Sequence, residues 1–156
     1  MNHKIKKTKY DIAVNIISMI TLIGTFLYLI INWGNIPDQI PGHYDFTGSV
    51  DRWGNKSELW VCPILAFILY IGITVLEAFP GIWNTGVKVT DKNRDQVYQL
   101  LKHMIVTLKG VIVIIFAFIT INSSMAKPLQ VWGLPVMLIF IFGPMAAFLI
   151  KLSKAK

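Results

Sequence analysis

The sequence predicts an all-α integral membrane protein: four transmembrane helices with an ordered extracytoplasmic loop between helices one and two. Three observations carry this. Hydrophobic residues make up 54% of the chain and charged residues 15%, against about a quarter charged in ordinary soluble domains. The charges are segregated, leaving four apolar runs of about twenty residues, long enough at 1.5 Å per residue to cross a ~30 Å hydrocarbon core. The basic residues lie in short clusters beside those runs. They form no single face, so the net charge of +7 argues for membrane insertion and against nucleic acid.

The first run is 12–33. The lysines at 4, 6, 7 and 9 precede it, but the run is too long for a secretory h-region and ends without a small-residue cleavage site, so it reads as an uncleaved span. Ser18, Thr21 and Thr25 share one helix face with Gly24 nearby, a pattern suited to helix–helix packing. The second run is 59–79, with Ser57 as the expected N-cap and Pro63 in the first turn, where a missing N–H costs least. Glu77 is the one acidic residue inside an apolar run. Thr90-Asp91 marks a helix start, and an interfacial turn is expected to run straight into the third span, 103–121. Lys109 lies two turns into that span, to snorkel to the surface or to meet Glu77. His103 reads as an interfacial histidine. The fourth span is 131–150, with Gly143-Pro144 expected to kink it. The single cysteine, Cys62, falls inside an apolar run and permits no internal disulfide.

Basic residues set the orientation. Lys4, Lys6, Lys7 and Lys9, then Lys88, Lys92, Arg94 and Lys102, then Lys151, Lys154 and Lys156 flank one side; only Arg52, Lys56 and Lys127 flank the other. Both termini and the middle loop are therefore expected in the cytoplasm of a plasma-membrane protein. The loop 34–58 then faces outward.

Within that loop, 36–56 reads IPDQIPGHYDFTGSVDRWGNK. Pro37 and Pro41 stiffen its start; Gly48 and Gly54 permit tight turns. His43-Tyr44-Asp45-Phe46 alternates as a short strand would, placing His43 and Asp45 on one side. Trp53 and Phe46 suit the headgroup level. His43, Asp45 and Asp51 are the candidate metal ligands or acid–base groups; one histidine and two carboxylates make a sparse set. No cofactor is predicted, and a divalent metal stays open.

The string resembles the membrane proteins of domain-of-unknown-function family 1648, whose pattern runs close to L-P-x-x-I-P-x-H-F-(N/D)-x-x-G-x-x-D-x-W-(G)-x-K between two spans. The matching positions are Pro37, Ile40, Pro41, His43, Asp45, Gly48, Asp51, Trp53, Gly54 and Lys56, with Tyr44 where phenylalanine is usual. The best-known relatives are immunity proteins against a secreted killing peptide of Gram-positive bacteria, the sporulation-delay system. The resemblance thus implies a secreted peptide toxin and a cytoplasmic repressor as partners beside membrane lipid. Those relatives carry a further membrane domain, which this chain is expected to lack. Three functions compete: a binding protein whose outward loop recognises a ligand, a membrane-surface metal-dependent enzyme using His43, Asp45 and Asp51, and a structural membrane subunit. Transport through Glu77 and Lys109 is a fourth. Self-association stays open.

Overall fold

The computed structural model describes residues 5–155; Lys4 and Lys156, counted above among the basic residues, lie outside them. The order is α1 (Lys9–Asn32), β1 (Gln39–Tyr44), β2 (Val50–Asn55), α2 (Val61–Glu77), α3 (Arg94–Ser124) and α4 (Gly133–Lys154). Among the described residues, four helices are long and apolar enough to cross a membrane, which fits a multi-pass membrane protein. The chain is mostly helical but not all-α. The loop between α1 and α2 folds into a two-stranded antiparallel hairpin.

Local chemistry moves the helix ends away from the apolar runs. α1 begins before residue 12 because Thr8 and Asp11 form a capping box: Asp11 N donates to Thr8 Oγ1 (3.2 Å) and Thr8 N to Asp11 Oδ2 (2.8 Å). Ser57 is not the cap of the second span. Asn55 fills that role, its side chain accepting from Ser57 N at 2.9 Å, and a 3-10 turn over Lys56–Trp60 leads into α2. Thr90 and Asn93 exchange side-chain bonds ahead of α3, which starts at Arg94. The expected interfacial turn and third span are thus one helix of 31 residues, or about 46 Å. Pro144 sits inside α4, which continues to Lys154.

α3 is the hub. It packs against α1, α2 and α4, whereas α1 and α2 touch each other little. The α1–α3 approach is close at Gly110, where an added Cβ would lie 2.9 Å from Val14 Cγ1 and 3.1 Å from Ser18 Oγ. Ser18 and Thr25 are buried, as the small-residue face implies, and their hydroxyls bond back to the Val14 and Thr21 carbonyls. Gly24 has open space beside it and contributes nothing to that contact. Leu22, Ala66, Tyr70 and Val113 pack midway along the bundle. Leu29, Ile36, Ile40 and Leu59 pack beneath the hairpin, with Trp33 and Trp60 against them. At the opposite end Trp83, Val97, Leu101 and Leu152 form a third cluster. Asp11 is buried there, with Lys102 Nζ at 3.8 Å and His103 Nε2 at 3.5 Å. His103 also meets Thr8 Oγ1 and Gln99, so it anchors the start of α1 to α3.

Candidate functional site

The hairpin register pairs Gln39 with Asn55, Ile40 with Gly54, Pro41 with Trp53, His43 with Arg52 and Tyr44 with Val50, with a break in regularity around His43. The strand therefore spans Gln39–Tyr44, and the expected strand over 43–46 is displaced toward the chain start. Its inward residues are Ile40 and Pro41, both buried, so apolar burial on the bundle fixes the register.

Asp45 belongs to the turn. Its Oδ1 accepts from Thr47 N (2.8 Å), Thr47 Oγ1 (2.6 Å) and Ser49 N (3.0 Å), while Gly48 N donates to the Asp45 carbonyl at 3.0 Å. This is an Asx-type turn. Gly48 completes it at φ +84, a conformation glycine adopts without a Cβ penalty. The Thr47 hydroxyl, foremost, and the backbone amides hold the Asp45 carboxyl below the usual carboxylate range. With the folded pKa depressed, the charge stabilises the turn at higher pH, and that contribution fades as pH falls through the folded value. Amide-exchange protection at Thr47 and Ser49 is therefore expected to drop below about pH 4. An Asp45→Asn protein should show no such dependence when the two are compared by NMR.

Two ion pairs brace the strands. The Arg52 guanidinium donates to Glu58 Oε2 (2.8 Å) and Oε1 (3.3 Å), and to the Gly42 carbonyl (2.8 Å). Gly42 and Gly54 make room for this pair. A Cβ on Gly42 would lie 2.7 Å from Arg52 Nη2, and one on Gly54 would collide with the Glu58 carboxylate. Lys56 Nζ meets Asp38 Oδ1 at 2.8 Å and lies 5.5 Å from the Trp33 ring centre, closing the base of the hairpin. Hydrogen bonds from these cations lower the carboxyl pKa values of Glu58 and Asp38.

Tyr44 seats the hairpin on the bundle. Its hydroxyl meets Ser123 Oγ at 3.0 Å, donates to the Lys127 carbonyl at 3.2 Å and accepts from Asn122 Nδ2 at 3.0 Å. Gly48 presses on the same turn, since a Cβ there would be 2.6 Å from the Leu129 carbonyl oxygen.

What remains outside is a compact display. His43 Nδ1 lies 2.7 Å from Asp51 Oδ1, with side-chain exposures of 65% and 45%. An ionised carboxylate only accepts, so Nδ1 carries the proton and Nε2 is left free. Phe46 is 81% exposed and Trp53 52%. Pro37 is exposed at the start of the loop. Asp51 therefore pairs with His43, not with Arg52 or Lys56. The proposed metal trio does not assemble: Asp45 is committed to the turn, and among the described residues no three His, Cys, Asp or Glu side chains converge.

Glu77 and Lys109 meet, away from the hairpin. Lys109 has a fully buried side chain and Glu77 a 9% exposed one. Lys109 Nζ donates to Glu77 Oε1, to Asn15 Oδ1 (2.7 Å) and to Thr74 Oγ1 (3.0 Å), with the Tyr70 ring centre 4.7 Å away. An ammonium has three donors, and all three are engaged within the bundle. Lys109 does not snorkel. It joins α1, α2 and α3.

Residues 20–67 match the family model described as Domain of unknown function (DUF1648). That segment is similar to this family. It takes in the larger part of α1, the whole hairpin and the start of α2. No curated protein and no solved structure matches the chain. The family motif gave the DUF1648 positions, yet Asp38, Arg52, Glu58, Asn122 and Ser123 were not among the candidate site residues. One signal could have found part of this set: the Asn55-x-x-Glu58 spacing of a capping box.

Proposed function

We propose that this protein is a bacterial plasma-membrane binding protein whose outward-facing hairpin recognises a secreted membrane-active peptide and confers immunity to it or signals its presence. The observation that carries the reading is the division of labour in the hairpin. Arg52, Glu58, Lys56, Asp38, Asp45 and Tyr44 are spent on holding its shape. His43, Asp51, Phe46 and Trp53 are left exposed on it. Recognition benefits from such a preshaped surface, because little ordering remains to be done on binding. Exposed aromatics beside the hydrogen-bonded His43–Asp51 pair suit an amphipathic peptide at the headgroup level.

The outward orientation is supported by the excess of basic residues at the opposite end. The family resemblance supports a peptide toxin as ligand and a cytoplasmic repressor as the receiver of a signal. Survival of a sensitive Gram-positive host tests the reading. Wild type is expected to protect against at least one of a panel of secreted membrane-active peptides. His43→Ala and Trp53→Ala should abolish protection at unchanged membrane level and unchanged thermal stability in detergent. Loss of stability in step with loss of protection would instead assign these side chains a structural role. No protection by well-expressed wild type against any peptide would overturn the immunity reading.

A further inference from the structure

A groove of about 510 Å³ opens between α3 and α4, within the usual size range of small-molecule pockets. Ile114, Phe118 and Phe140 contribute to its apolar walls, and Asn122, Gln130 and Trp132 carry its polar groups. The last three flank the turn from α3 to α4, so the groove has an apolar length and a polar end beside the hairpin. In a membrane that length faces hydrocarbon. The polar end is rich in unused donors. Among the described residues, neither the Gln130 amide nor the Trp132 indole N–H has a hydrogen-bond partner, and both residues are exposed.

Lys127 lies in the same turn, exposed, its carbonyl held by Asn122 Nδ2 at 3.1 Å. Three basic residues, Arg52, Lys56 and Lys127, belong to this end of the protein. Arg52 is neutralised by Glu58 and Lys56 by Asp38. Lys127 makes no ion pair among the described residues. Two unused N–H donors at the end of an apolar groove, with the unmatched Lys127 three residues away in the adjoining turn, are complementary to one kind of molecule: an acyl chain carrying an anionic head.

We propose that the α3–α4 groove binds an anionic phospholipid, one acyl chain lying along Ile114, Phe118 and Phe140 and the phosphate region meeting Lys127, Gln130 and Trp132. The site is independent of peptide recognition by the hairpin. A zwitterionic lipid of equal chain length fills the same apolar length but brings its own cation to Lys127, so the head selects.

Native mass spectrometry of the full chain in mild detergent tests this. Phosphatidylglycerol and phosphatidylcholine with identical acyl chains are titrated separately, with glycerol phosphate as a soluble competitor. Wild type is expected to retain phosphatidylglycerol about fivefold more tightly, the contribution of one basic residue near an anionic surface. Lys127→Gln should erase the preference, and Lys127→Arg should restore it. Ile114→Trp, which fills the groove, should weaken both lipids. Lys127 is exposed, so its variants keep the test sound if Ile114→Trp fails to fold. Equal binding of the two lipids by wild type, or a preference that survives Lys127→Gln, would overturn the proposal. Displacement of the lipid by glycerol phosphate would do so too, by reducing the site to a phosphate contact.

Discussion

Replacing Lys109 with methionine is expected to destabilise the folded protein by about 3–5 kcal/mol, the cost of leaving one member of a buried ion pair alone. The Lys109 ammonium satisfies Glu77, Asn15 and Thr74 together. Its loss strands a carboxylate inside the bundle and frees two polar groups on other helices. Glu77→Gln should cost less, because the amide oxygen still accepts from the ammonium and only the charge balance is lost. The double change to methionine and glutamine should recover part of the single loss, since no uncompensated charge remains. Unfolding in detergent at graded denaturant, read by tryptophan fluorescence, measures all three. Near-additive losses in the double variant would show that the two side chains act independently and that the pair does not organise the bundle.

Gly48→Ala is expected to be nearly as damaging at the opposite end. The residue sits at φ +84, and a Cβ there would be 2.6 Å from the Leu129 carbonyl oxygen and 3.0 Å from that of Gln130. The backbone conformation alone costs about 1–3 kcal/mol for a residue with a side chain. The neighbours are main chain, which cannot step aside as a flexible side chain would. The turn should lift from residues 129–130 and loosen the Tyr44 anchor. Gly34→Ala is the matched control, with nothing near its added Cβ. A thermal melt of the two variants should separate them clearly; equal melting temperatures would mean that the hairpin does not rest on the α3–α4 turn.

The four spans were legible because a run of about twenty apolar residues has few other fates. The Glu77–Lys109 meeting was one of two fates open to Lys109, since charges in such runs either seek partners or snorkel to the surface. The hairpin was not. Pro41 argues against a strand, and the alternation at 43–46 shares only His43 and Tyr44 with the strand that forms. The true strand is held by contacts from outside it, Arg52 over Gly42 and Ile40 on Leu29 and Leu59, and from far along the chain by Ser123 on Tyr44. The metal trio failed for a related reason. Asp45 looked free by composition, and local backbone amides claimed it. Ser57 lost the cap to Asn55 because the 3-10 turn begins before the apolar run does.

The segment that matches DUF1648 ends at residue 67, while part of the surface on which its hairpin rests is made by 122–130. α1 and α2 share little contact and both lean on α3. A chain made from its N-terminus therefore exposes its hairpin long before that part of its platform exists. Through that interval Tyr44 and Gly48 have nothing to rest against. Grafting 20–67 onto a foreign pair of helices would transfer every motif residue and the ion pairs that brace the strands, and lose the seat of Tyr44 and Gly48 on 122–130. What the motif spells locally is anchored only when the last two helices arrive.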